Sequence, residues 1–391
     1  MLAALATGFL LFGTVSCGGG DDDDVDVKSV QIGSESKTLS IGQTTTLTAT
    51  VLPDNATNKK IEWSSDNSEV ATVDASSGVV TAIAKGTATI TAKSKSNKNA
   101  TATCTIKVVE ALAYDGTIRF NFDSAPTLKT GGQVVIKQGG TEVDTIKTAD
   151  EKYYTINNSK GAIGAINVKD QLIVVEGNDL VIVTHTDEEG YALLEPSTEY
   201  TVDLSGLIDG ETTKTFTTPA SPTIDGNAIS VGTDGDFTTI QGALNYLRKT
   251  EATGDWTITV AAGKYHERLA YYGSANVTLV GAEDDNFGSK TVVDWKNNQN
   301  WGNSGQRARA NFVWAGGNLT IKNMKFENTT NRTEEGNTNV QAETLNFDVA
   351  KDLVVYNSSF YSYQDTLILG NNGGRAWFYK SKIAGDVDFI W

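Results

Sequence analysis

The 391-residue chain carries 32 Lys and Arg against 48 Asp and Glu, a formal net charge of −16. No basic stripe exists to neutralise phosphates, so nucleic acid is excluded as a partner. The 39% hydrophobic and 20% charged composition is that of a soluble globular protein, and the length suits two or three domains. With only two histidines, His185 and His266, lying far apart, neither a Ser-His-Asp triad nor a multi-histidine metal site is expected.

Residues 1–24 open the chain with an apolar run, Leu2 to Phe12, far shorter than the ~20 residues of a membrane-crossing helix. The run leads into Thr14-Val15-Ser16-Cys17, which resembles a lipoprotein signal-peptidase site whose cysteine becomes acylated. The following Gly18-Gly19-Gly20-Asp21-Asp22-Asp23-Asp24 is similar to the acidic tether of surface lipoproteins in Bacteroides-like bacteria. That resemblance implies a secreted protein anchored to the outer membrane through Cys17 and exposed at the cell surface. The basic residues that usually precede such a run are missing, so the true start is expected upstream. The competing reading is a plain secretory signal with an incidental cysteine.

From residue 25 to 110 the pattern alternates with period two: Leu47, Ala49 and Val51 share one face, and Ala88, Ile90 and Ala92 another. Turn residues such as Pro53-Asp54-Asn55 separate the strands, as in an antiparallel sandwich. Cys104 falls within a strand as a small buried hydrophobe. The strings Trp63-Ser64-Ser65, Val70-Ala71-Thr72-Val73-Asp74 and Gly78-Val79-Val80-Thr81-Ala82 resemble the group 2 bacterial immunoglobulin-like domain, which implies a spacer or adhesive module. Residues 111–220 again read as all-β, and Lys214-Thr215-Phe216-Thr217-Thr218 resembles another bacterial Ig-like type. His185 has a structural role there, and Thr218 to Pro222 forms a linker. All five prolines lie at or before Pro222, which marks a change of architecture.

Residues 221–391 open with a short amphipathic helix carrying Ile240, Ala243, Leu244 and Leu247, for which Thr238-x-x-Gln241 fits a capping box. Trp256 to Val260 is a strand leading into Gly263-Lys264-Tyr265-His266-Glu267, where His266 packs or lies at the surface. Leu319-Thr320-Ile321-Lys322-Asn323 can be laid on Leu353-Val354-Val355-Tyr356-Asn357, and more loosely on Ala376-Trp377-Phe378-Tyr379-Lys380. Repeats of this size stack as coils of a parallel β-helix, with Asn323 and Asn357 as rungs of an internal asparagine ladder. The register also places chemistry. Asp365 follows Phe360 by the same distance as Asp388 follows Ile383, so the two aspartates occupy one position on successive coils, ~4.8 Å apart at the backbone. Two carboxyls so close do not both ionise easily; one stays protonated and the other anionic.

Three motifs then carry a family resemblance. Gln341-Ala342, Tyr363-Gln364-Asp365-Thr366-Leu367 and Gly385-Asp386-Val387-Asp388-Phe389-Ile390-Trp391 resemble the successive motifs of the pectin methylesterases. The resemblance implies Asp388 as nucleophile, Asp365 as acid and base, and Gln341 and Gln364 as oxyanion donors. It further implies a methyl-esterified pectin substrate and neither metal nor cofactor. Tyr363, Phe389 and Trp391 would line the sugar cleft, although core packing serves Tyr363 and Phe389 equally well. The family's arginine beside the nucleophile belongs to a later motif, and none of Arg268, Arg307, Arg309, Arg332 or Arg375 sits in a matching one. The chain is therefore expected to be all-β: two Ig-like β-sandwiches and then an incomplete right-handed parallel β-helix with little turnover of its own. The alternatives are a non-catalytic surface protein that binds glycan or neighbouring cells, and a pectate lyase. The lyase would want a calcium cluster and a basic residue that the motif region does not show.

Overall fold

Alternation of apolar and polar residues builds the first sandwich. The computed structural model describes residues 24–109, 117–148, 152–156, 163–168, 172–187, 191–210, 213–299, 309–331, 333, 336, 340–347, 349–370 and 373–391. Cys17 and the leader lie outside the described residues. Gly86–Ser94 buries every second side chain and pairs antiparallel with Thr101–Val109 on one edge and Ile61–Ser65 on the other. Ala88, Ile90, Ala92, Cys104 and Ile106 bury together with Leu39, Leu47 and Trp63. Gly78 sits at φ +73°, and a Cβ there would stand 2.7 Å from the Leu47 carbonyl oxygen and 2.8 Å from the Trp63 ring. Only glycine closes that turn over the tryptophan. Burial pushes the Cys104 thiol up to about 11, which leaves it an inert core side chain.

The middle segment places Gln133–Gln138, Thr141–Lys147, Glu199–Asp203 and Thr213–Thr217 in one antiparallel sheet. Ile118–Asn121, Ile173–Glu176 and Asp179–Ile182 form a second. Val134, Ile136, Ile146, Leu180, Ile182 and Tyr200 belong to their shared core. The His185 ring reaches Asp144 at 2.6 Å, so this histidine ties a strand to the segment beside it.

From Ala228 onward the pairing turns parallel and the chain coils. Ala228–Val231, Asp255–Val260, Asn276–Val280, Leu319–Lys322, Asp352–Tyr356 and Arg375–Tyr379 stack in order as a first sheet. A second sheet contains Gly263–His266, Thr291–Trp295, Lys325–Asn328, Ser359–Tyr361 and Lys382–Ala384. Leu269–Tyr271, Phe312–Trp314, Leu345–Phe347 and Leu367–Leu369 make the third. Leu319, Leu353 and Ala376 are direct neighbours, as the repeats require. Phe312, Phe326 and Phe360 stack inside with centroids 5.6 and 5.4 Å apart. Each such ring pair adds about 0.5–1.5 kcal/mol beyond its buried area.

Between the first and second sheets the chain turns through Asn323, Asn357 and Lys380, all at φ between +45° and +55°. Asn357 Nδ2 donates to Asn323 Oδ1 at 2.9 Å, which is the expected ladder, and Lys380 replaces its third rung. The helix Ile240–Lys249 buries Ile240, Ala243, Leu244 and Leu247 in the same core as Val231 and Trp256, near the start of the stack. Its start corrects the capping-box expectation. Thr239, not Thr238, is the N-cap, and its hydroxyl accepts from the Gly242 N–H at 3.0 Å. Gln241 instead donates to Asn245 and to the Ala270 carbonyl. The free N–H groups of Ile240 and Gln241 are taken by the Glu267 carboxylate at 3.0 and 2.9 Å. His266, beside it, lies 4.5 Å from the Trp295 ring centroid to centroid and serves packing.

Candidate active site

Three motif segments meet where the second sheet hands the chain to the third. Gln364 forms a parallel bridge with Val387 and an antiparallel bridge with Ala342. The Asp365 N–H donates to the Val387 carbonyl at 3.0 Å, and the Asp386 N–H to the Tyr363 carbonyl at 2.8 Å. This pairing sets Gln341 beside Asp365 and Asp365 beside Asp388. Asp365 and Asp388 sit at φ +55° and +49°, so successive coils repeat one left-handed turn. Aspartate tolerates that backbone better than most side chains. The residue that follows the first motif is held by Asn328, whose buried amide donates to the Glu343 carbonyl at 3.0 Å. Thr344 Oγ1 donates to the Tyr361 carbonyl at 2.7 Å, which joins that coil to the next.

The two carboxyls have different surroundings. Asp365 is 3% exposed, whereas Asp388 faces solvent. Burial pushes the Asp365 carboxyl above the ordinary range; the Arg309 charge opposes this, the Asp388 charge adds to it, and a hydrogen bond from Gln341 opposes it. The pair therefore offers one carboxyl biased toward its protonated form beside a second carboxyl on the next coil. Gln341, on the preceding coil, and Gln364, next to Asp365 in the chain, are both half-buried. Tyr363 is 37% exposed and is not packed in the core, and Phe389 and Trp391 lie on the coil of Asp388.

Two further residues escaped the motif reading. Arg309 and Glu343 form a buried ion pair: Arg309 Nε donates to Glu343 Oε1 at 2.7 Å, and Nη2 reaches the same oxygen. Arg309 Nη1 donates to Gln341 Oε1. Burial outweighs the guanidinium and pushes the Glu343 carboxyl up to about 7. A signal for the pair was present in the sequence. Arg309 and Glu343 are 34 residues apart, the same coil-to-coil step that separates Asn323 from Asn357.

With the two aspartates on adjacent coils and the glutamines at their flank, comparison with known proteins becomes specific. Residues 228–391 match the pectinesterase family. Residues 26–106 match the bacterial Ig-like domain, group 2. The probable pectinesterase A of Aspergillus flavus is 30% identical over 165 residues, covering 41% of this chain and 47% of that protein. The kappa-carrageenase of Pseudoalteromonas carrageenovora is 59% identical over 66 residues, 17% of this chain and 16% of that enzyme. The crystal structure of a pectin methylesterase from Aspergillus niger aligns at 26% identity and a TM-score of 0.36, covering 43% of this chain and 53% of the other. The chain thus spans less than half the length of these two curated relatives.

Proposed function

We propose that this protein hydrolyses the methyl esters of galacturonate units in pectin, with Asp388 as nucleophile. The observation that carries the reading is the Asp365–Asp388 pair, set on adjacent coils in one backbone conformation with Asp365 buried. The pectinesterase match over residues 228–391 supports it.

A carboxylate oxygen of Asp388 attacks the ester carbonyl, and the oxygen that gains charge accepts hydrogen bonds from the Gln341 and Gln364 amides. Collapse of the intermediate breaks the bond to the methoxy oxygen, which takes the Asp365 proton and leaves as methanol. Asp365, now anionic, accepts a proton from the water that attacks the acyl-enzyme, and hydrolysis returns both carboxyls to their starting forms. Tyr363, Phe389 and Trp391 supply exposed apolar faces for the sugar rings. The test is methanol release from highly methyl-esterified homogalacturonan. Release by the parent that vanishes in Asp388→Asn, and falls ~100-fold in Gln364→Ala, supports the reading. Release that survives Asp388→Asn unchanged contradicts it.

The same proposal extends to location. Cys17, preceded by an apolar run and followed by Gly18 to Asp24, supports an acylated anchor in the outer membrane, with the Ig-like segments 25–110 and 111–220 as spacers that carry the β-helix to the cell surface. Cys17→Ala should move the protein from the membrane to the soluble fraction; unchanged membrane association would refute the anchor.

A further inference from the structure

The proposed chemistry leaves one costly feature without a role. Arg309 and Glu343 are buried behind Asp365, their side chains 9% and 0% exposed. Glu343 Oε2 has no hydrogen-bond partner among the described residues. Replacing a buried ion pair of this kind with apolar side chains of similar volume is often neutral or stabilising, so stability alone does not account for the pair. Its geometry does. Arg309 forks between two side chains of the next coil, giving Nε and Nη2 to Glu343 and Nη1 to Gln341.

A guanidinium has five donors and no acceptor. The end of the Gln341 carboxamide that faces Arg309 must therefore be its oxygen. The opposite end, the NH₂ group, is then turned toward Asp365, with which Gln341 makes a hydrogen bond. A free carboxamide has no such preference, since its two ends are alike in shape and differ only in which partners they satisfy. If Gln341 turned over, it would present lone pairs to the reacting carbonyl oxygen where the proposed reaction needs an N–H donor.

We infer that Arg309 is a positioning residue of this site: it locks Gln341 with its N–H donors toward Asp365 and the reacting carbonyl, and Glu343 is the counter-ion that holds Arg309 in place. The inference rests on the ester-hydrolase reading for the target of those donors. The orientation of Gln341 itself follows from the contacts alone. Arg309 touches neither substrate nor reacting atoms in this scheme. Its charge also reaches Asp365, where it favours the ionised form and partly offsets burial.

The decisive variants are made in the full chain. Arg309→Met combined with Glu343→Leu removes both charges, so no lone buried ion is left to unfold the coil. Arg309→Lys keeps the charge, but one ammonium cannot reproduce the planar fork to Gln341 and Glu343. The double variant should keep the parent's thermal unfolding temperature and lose about 10- to 100-fold in kcat with KM within about threefold. Asp365, followed by carbon NMR of its carboxyl, should titrate at higher pH in the double variant and close to the parent in Arg309→Lys. Arg309→Lys should nevertheless lose kcat, because the Gln341 amide is no longer held. A folded double variant with the parent's kcat and an unshifted Asp365 titration would overturn the inference. Methanol release that Asp388→Asn leaves unchanged refutes the hydrolase reading instead, and the Asp365 titration then still decides what Arg309 does.

Discussion

Gly385 tests whether the closeness of the Asp365 and Asp388 turns matters to the proposed reaction. It lies three residues before Asp388, and a Cβ there would stand 2.6 Å from the Ser362 carbonyl oxygen and 2.7 Å from Thr366 Oγ1. The nearer obstacle is backbone, so the side chain cannot be accommodated by a rotamer change. Relaxing a carbon–oxygen contact to ~3.3 Å requires the turn to withdraw by about 0.7 Å. That turn carries Asp388 and pairs through Val387 with Gln364 and Asp365, so the withdrawal separates nucleophile from acid. A displacement on the order of 1 Å costs about 100-fold in a positioned reaction, so Gly385→Ala should lose at least about tenfold in kcat. Overpacking should also cost about 1–3 kcal/mol of stability. Gly373→Ala is the control: at φ +83° it has no atom within 4 Å of the added Cβ, so it carries backbone strain without a clash. Both variants should lose stability in thermal or urea unfolding, but only Gly385→Ala should slow methanol release. A Gly385→Ala protein with the parent's rate, or a Gly373→Ala protein equally slowed, would refute the reasoning.

Glu343 predicts a pH dependence of stability. Its folded pKa is raised from 4.5 to about 7 by burial, so the folded state holds the proton that the unfolded chain gives up. Stability from this group is fully present below about 4.5 and falls as pH rises toward 7, by on the order of 3 kcal/mol. Urea unfolding across that window should show the fall, and Glu343→Gln should flatten it; an unchanged slope would remove Glu343 as the cause. Asn357→Ala should cost about 2–3 kcal/mol, since it removes the bonds to Asn323 and Asp284 and places alanine at φ +45°. Asn357→Gly loses the same bonds without the backbone strain, so a glycine variant as stable as the parent would show that the ladder bonds contribute little.

Much of this architecture is written as repetition. The steps from Leu319 to Leu353 and from Asn323 to Asn357 recur in the sequence, and stacking turns equal steps into neighbouring side chains. The shared step of Asp365 and Asp388 was legible for the same reason, and their matching left-handed turns follow from it. Partnerships without a repeat were not legible. Glu267 caps a helix 26 residues upstream because the chain folds back over the open end of the stack, which no local pattern encodes. Thr239 displaced Thr238 as N-cap because helix boundaries depend on which hydroxyl meets a free N–H, a matter of one residue. Arg309 matched no motif, and only its coil step to Glu343 pointed to the pair. The exposure of Tyr363 was equally hidden, since an aromatic next to the Asp365 turn fits core and cleft alike.

The central claim is that Asp388 attacks the ester and becomes acylated. The direct measurement is to add hydroxylamine during turnover of methyl-esterified oligogalacturonide, digest the protein and read the Asp388 peptide by mass spectrometry. An acyl-enzyme anhydride at that carboxyl should leave a hydroxamate on Asp388, formed only with substrate present and absent from the Asp365 peptide. Methanol release with no modification of Asp388, or with the hydroxamate on Asp365, would contradict the account.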